Sequence, residues 1–212
     1  MGILKLLILI VGTGLYINFH IEIKPIANSG YLLPETSSKD DREIFEQTWV
    51  SSKETPEVHS ASIALLDNGH PVAVWYGGTE EGHSDVSLFL SILRENWSAP
   101  VAIADRLTTE EGLSRYIRKV GNPTVHVWPD GKIGVFYVSV SVGGWGASSI
   151  NYIESANNSN SWSEPKRLVA SPFLNISSLV RTTPVKRLDG NIELPIYHEF
   201  AGKFSESLII SR

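Results

Sequence analysis

Three short turns, each set between apolar alternating runs, govern what this chain can fold into. They are Asp67-Asn68-Gly69, Pro129-Asp130-Gly131 and Asp189-Gly190, and their glycines stand 62 and 59 residues apart. In such turns Pro presets one backbone angle and Gly accepts the left-handed one. The fullest unit, residues 122–165, holds two alternating runs around its turn, a link Gly143-Gly144-Trp145-Gly146, a third run at 147–155 and a closing Trp162-Ser163-Glu164-Pro165. The same order stands upstream as 60–66, the turn, 71–75, Gly77-Gly78, 85–93 and Trp97-Ser98-Ala99-Pro100. It starts again downstream with 183–188, its turn and 192–198. A period near 60 exceeds the roughly 40 to 50 residues of common propeller repeats, but four short strands with long outer loops fill it.

Strands grouped in threes or fours without helices between them predict an all-β fold, a β-propeller, over residues 44–212. A β-sandwich also uses short alternating strands, yet gives no reason for a glycine link and a tryptophan closure to recur. Two full units and the opening of a third make about two and a half blades, so the propeller reads as incomplete and the chain as the front half of something longer. An unclosed ring leaves an exposed sheet edge. Residues 44–50 predict a strand ahead of the first unit, of the kind a ring uses to complete its last blade. The best helical stretch, 108–118, offers Thr108 or Thr109 as a cap and reads as a loop insertion between units.

The N-terminus is separate in character. Residues 3–19 are apolar except for Lys5, Thr13 and Asn18, which suits an uncleaved membrane anchor, a cleaved signal peptide or a buried first element. Residues 1–20 are therefore set apart as signal or anchor, and 21–43 as a polar spacer. Either of the first two readings implies an extracytoplasmic location, secreted or membrane-anchored. Charge is nearly balanced, 18 basic against 23 acidic side chains without a basic block, which argues against nucleic acid as a partner. With no cysteine, thiol chemistry, disulfides and cysteine-based zinc sites are excluded. Six Trp and seven Tyr permit stacking on sugar faces. Asn-x-Ser sequons occur at Asn96, Asn157 and Asn175.

Several phrases resemble the sialidase-like family with BNR or Asp-box repeats. Ser155 to Trp162 keeps the spacing of the Asp box S-x-D-x-G-x-x-W, with Asn157 and Ser159 in place of Asp and Gly. His59-Ser60-Ala61-Ser62-Ile63 leading to Trp75-Tyr76-Gly77-Gly78, then Gly121-Asn122-Pro123-Thr124, then Arg181 with Leu194-Pro195-Ile196-Tyr197-His198-Glu199, look like further family segments. The resemblance implies a six-bladed propeller, of which about half is covered, and an exo-acting glycosidase or a fragment of one. The alternative is a catalytically inactive carbohydrate-binding or scaffold propeller, with a protein-interaction ring behind it. The Asp-box residues themselves read as structural, because short polar side chains bond their own turn while Trp plugs between sheets.

Polar residues at strand ends are the candidate site. A propeller presents the loops of all blades around its axis, so residues about 60 positions apart can converge. The resemblance implies a tyrosine nucleophile, a glutamate that draws off its proton, an aspartate acid and base, and three arginines on the substrate carboxylate. On that basis Asp85, Glu81, Tyr197 and Glu199 are the catalytic candidates. Arg181 is a carboxylate-pairing candidate, since a guanidinium engages a carboxylate bidentately; the other reading is an inter-blade ion pair. His59 stands where the family's first arginine would be. His198 suits a sugar hydroxyl, and Trp75, Tyr76 and Trp145 suit an aromatic wall. His59, His83 and His198 form no i,i+4 pair, so neither a metal nor a cofactor is expected. The expected partner is a glycan or glycoconjugate.

Overall fold

All three turns close with one hydrogen-bond pattern in the computed structural model, which describes residues 30–32, 45–51, 53–156, 161–170, 175–199 and 203–211. Gly69, Gly131 and Gly190 take φ of 80°, 79° and 82°, and their N–H groups donate to the carbonyls of Leu66, Trp128 and Arg187. Asn68, Asp130 and Asp189 then accept, through the side chain, the N–H two residues on, at 3.1, 3.2 and 3.0 Å. The repeat is thus carried down to individual backbone bonds. Only glycine enters the left-handed region without a steric cost from Cβ.

The chain divides into two units, Met1–Gly30 and Tyr31–Arg212, and the description below concerns the second. The apolar N-terminal run lies outside the described residues, as does most of the spacer. Among the described residues no helix is long and apolar enough to cross a membrane.

Around the turns stand three antiparallel sheets. The first runs β1 (Glu57–Leu65), β2 (Pro71–Gly78), β3 (Ser87–Ile92) and β4 (Val101–Asp105) in that order. The second has β5 (Lys119–Val127), β6 (Ile133–Val140) and β7 (Ser148–Ala156), with both β8 (Ser161–Trp162) and β9 (Lys166–Arg167) on the edge of β7. It therefore holds five strands rather than the expected four. The third has a split inner strand, β10 (Leu179–Val180) and β11 (Val185–Lys186), both on β12 (Ile192–His198), which also pairs with β13 (Phe204–Ile210). Three open sheets in series make a partial, propeller-like all-β structure.

Two apolar layers separate the sheets. Val72, Val74, Tyr76 and Leu88 of the first sheet meet Val125, Val135, Tyr137 and Ile153 of the second, with Trp162 against this layer. Phe136, Val138 and Ile150 on the other face of the second sheet meet Leu179, Ile192, Leu194 and Ile196 of the third. Ser155, ahead of Trp162, accepts the Ile133 N–H at 2.9 Å, a structural use of the Asp-box segment; Asn157 and Ser159 lie outside the described residues.

Two sequence expectations differ from the structure. Residues 45–50 contain no strand; Phe45 and Trp49 are exposed, and strand-forming side chains that are not packed do not by themselves make a strand. The helix α1 is Arg106–Leu113, starting before Thr108 because Asp105 is its cap: Asp105 Oδ1 accepts the Thr108 N–H at 2.8 Å while Thr108 Oγ1 accepts the Asp105 N–H at 2.9 Å. Its place between the first two sheets is the loop insertion foreseen. The sequon at Asn175 is structural, since its buried amide bonds both Ala170 N and Leu168 O.

Packing around Gly134 is tight enough to test. A Cβ there would stand 2.7 Å from Trp128 Nε1 and 2.8 Å from the Tyr152 hydroxyl, breaking the 2.6 Å bond that Trp128 Nε1–H donates to Tyr152. Gly134→Ala should cost about 1–3 kcal/mol, read as a lowered urea midpoint. His126, buried edge-on to Trp128, has its pKa pushed down from 6.5 to about 4, by burial first and then by Lys186. The unfolded chain takes up the proton first, so this contribution to stability is complete above pH 6.5 and is lost as pH falls toward about 4. Urea titrations across that window should show the loss in the native protein and a flatter profile in His126→Phe.

Candidate functional site

The inner strands bend where they approach one another. β1 shifts register between His59 and Ser62 and β5 between Gly121 and Thr124, with Ser60 and Asn122 at φ 50° and 46°; the third sheet breaks its inner strand between Val180 and Val185. Such bulges re-aim side chains. Ser60 Oγ–H donates to Asn122 Oδ1 at 3.2 Å. Ser62 Oγ stands 3.3 Å from Thr124 Oγ1 and 3.2 Å from Thr183 Oγ1, so one hydroxyl cluster joins the first two inner strands to the break in the third.

Beside that cluster opens a cleft of about 450 Å³. It gathers His59, Tyr76, Glu81, Trp145, Arg181, Tyr197 and Glu199 of the nominated residues, and adds Ser60 and Asn122. His59 stacks on Tyr76 with ring centroids 5.6 Å apart. Glu57 Oε2 accepts the Glu81 N–H at 3.1 Å and lies 3.4 Å from His59 Nε2, tying the two walls of this corner together. Trp145 stands in a short 3-10 turn on the glycine link; Lys119 Nζ sits 3.9 Å from its ring centroid, and a Cβ on Gly121 would come within 3.1 Å of it.

Two phenols face one guanidinium. Burial raises the Tyr76 pKa, Glu81 adds to the rise by its charge and a hydrogen bond, and Ser60 and Arg181 oppose it. Tyr197 is raised likewise, by burial first and then by Glu199, again against Arg181. Both phenols therefore stay protonated and serve as O–H donors. Burial and then Arg118 lower the Lys119 pKa, against Glu81.

Three nominated residues fall outside the cleft. Trp75 is buried on the opposite face of β2 from Tyr76 and stacks with Phe89. His198 turns away from Tyr197, stacks on Phe204 and lies 2.8 Å from Glu206. In both cases the alternation of a strand separates neighbours in sequence. Asp85 is held in its loop by Thr79 and His83, which keep its carboxyl below the usual range, Thr79 first. The paired glycines Gly77-Gly78 face protein, since a Cβ on either would meet Thr55 or Val86. Among the described residues no cluster of His, Asp or Glu could hold a metal ion.

Ser60 and Asn122 had a signal in the sequence. With Arg181 they stand nine positions before Gly69, Gly131 and Gly190, so one repeat position supplies all three sheets' contributions at this point of the cleft.

The model of the BNR repeat-like domain matches residues 69–212. The chain belongs to the BNR repeat-like domain family. No curated protein matches it. Among solved structures, the Hadza microbial sialidase Hz136 is similar with a TM-score of 0.57 at 13% identity, over 73% of this chain and 35% of that one. A family 117 glycoside hydrolase of Zobellia galactanivorans gives 0.55 at 13%, over 72% and 52%, and an endo-arabinase of Bacteroides thetaiotaomicron 0.54 at 14%, over 73% and 56%. At these identities the likeness is one of fold. This BNR repeat-like domain chain spans between about a third and just over half of those structures.

The two cleft phenols make a spectroscopic prediction. Tyr76 and Tyr197 should ionise above the ordinary tyrosine value of 10.0, contributing stability that is intact below that pH and lost above it. In an alkaline titration at 295 nm, Tyr76→Phe and Tyr197→Phe should each remove amplitude from the late part of the curve; loss from the part near pH 10 would contradict the assignment.

Proposed function

We propose that the cleft binds the terminal sugar of a glycan and is the site, or part of the site, of a sialidase-like exo-acting glycoside hydrolase. The observation that carries this is Arg181, exposed in the cleft between two tyrosine and glutamate pairs. A guanidinium pairs with a sugar carboxylate through two parallel bonds. Trp145 offers an aromatic face to the apolar side of the ring. Glycoside hydrolysis needs an acid beside the leaving oxygen and a nucleophile or base opposite; Glu81 and Glu199 take the proton-transfer roles, with Tyr197 beside Glu199 as nucleophile. An extracytoplasmic location, secreted or anchored through residues 1–20, suits such a substrate.

A second reading is a glycan-binding propeller without turnover. The protonated state of both phenols favours it, because a phenol held as a donor binds hydroxyls and carboxylates without attacking carbon.

Arg181→Ala should weaken binding of a carboxylate-bearing glycan by roughly 10- to 100-fold, as expected for a charged hydrogen bond worth about 1.5 to 3 kcal/mol, and leave its neutral analogue nearly unchanged. Calorimetry with the two ligands side by side makes the comparison. Equal losses for both would remove the acidic-sugar reading. Release of sugar from an aryl glycoside, abolished in Tyr197→Phe, separates the hydrolase from the binding module.

A further inference from the structure

Outside the cleft, on the face of the second sheet that turns toward the first, two arginines form no ion pair among the described residues. Arg115, in the loop after α1, donates from Nη2 to Ser141 Oγ at 2.6 Å. Arg167, on β9, donates from Nη2 to the Asn175 carbonyl at 2.7 Å. Arg115 Nη1 and Arg167 Nε are closed to solvent and meet no acceptor among the described residues. The Arg167 pKa is lowered by burial and then by Arg115, with no acid opposing. The end of α1 and the segment entering β9 adjoin, since a Cβ on Gly112 would meet the Pro165 side chain, which brings the two cations to one region.

The strands between them add unpartnered polar groups. Asn151 pairs with Arg167 across one edge of β7 and with Tyr137 across the other. It is 0% exposed, and neither its Oδ1 nor its Nδ2 has a partner among the described residues. Ser139, two residues along β6 from Tyr137 and so on the same face, is buried with its Oγ unpartnered. Both side chains are half-buried, a guanidinium does not escape desolvation by losing its proton, and an N–H closed to solvent without an acceptor is costly. Asn151 Oδ1 and the Ser139 hydroxyl can accept, but among the described residues the cluster holds two positive charges and no negative one in an ion pair with them.

We propose that Arg115, Arg167, Asn151 and Ser139 form a binding site for a small monovalent anion of the halide class, between β6, β7, β9 and the loop after α1. Each guanidinium spends one Nη2 bond on the protein, and the nitrogens closed to solvent and still without an acceptor are Arg115 Nη1 and Arg167 Nε. Donors from four separate side chains suit a spherical ion, whereas a carboxylate or phosphate is held by the paired donors of one fork. The bound ion would fasten the loop after α1 to the outer strand of its sheet.

The test is thermal unfolding of the full chain in sodium chloride against sodium gluconate at fixed ionic strength. The midpoint should rise by about 3 to 5 °C for each tenfold increase in chloride above its Kd, and Arg167→Gln and Asn151→Leu should abolish the dependence. Crystals grown in bromide should show an anomalous peak within hydrogen-bond reach of Arg115 Nη1 and Arg167 Nε, a readout that stands if either variant fails to fold. Equal midpoints in the two salts with no bromide peak would overturn the site and leave water as the occupant. A larger rise with phosphate than with chloride at the same ionic strength would overturn the halide class.

Discussion

A strand that is apolar on both faces holds the three sheets in series. Of the residues of β6, Val135 and Tyr137 enter the layer shared with the first sheet, while Phe136 and Val138 enter the layer shared with the third. Each such side chain contributes roughly 1.5 to 3 kcal/mol on burial, and the contributions act in both directions from one strand. The other face of the first sheet is only partly covered: Trp75 is buried there, but Ile63 and Leu65, on the same side of β1, remain 57% and 64% exposed. Stability in this arrangement therefore passes through the middle sheet, as expected where each repeat packs only on its neighbours.

With the sheets fixed by that strand, the bulges at Ser60 and Asn122 decide the site. A non-glycine residue at positive φ costs of order 1 kcal/mol or more, and here the two strained residues are bonded to each other. The bulges place His59 and Ser60 of β1 and Asn122 of β5 in the cleft lining. Gly121 leaves the room that Trp145 occupies.

The order of the strands and the place of the turns could be read from the sequence because each depends on local chemistry: a glycine with an Asx partner, an alternating run, a tryptophan closure. The convergence of Tyr76, Arg181 and Tyr197 followed from the same spacing. What escaped were matters of parity and of partners. Trp75 and Tyr76 are adjacent and equally aromatic, and only the packing of β2 decides which one faces the cleft; Tyr197 and His198 present the same ambiguity. The stretch around Trp49 has strand-like residues but pairs with no strand among the described residues. Arg115 and Arg167 are 52 positions apart, outside the repeat spacing, so no periodic argument could have joined them.

The cleft's chemistry is a consequence of unequal repeats. Tyr76 and Tyr197 each stand seven positions after a turn glycine, and the middle unit has Val138 there. The first and third units accordingly bring a phenol and a carboxylate each, Glu81 and Glu199, while the middle unit brings Trp145 from its glycine link. An apolar wall thus stands between two polar ones, with Arg181 adding the positive charge that holds both phenol pKa values from rising further. A ring molecule with one apolar face and hydrogen-bonding groups at its rim matches that division on three sides, and a wholly apolar molecule would leave the two carboxylates and the guanidinium without partners, at the cost that desolvated charges incur.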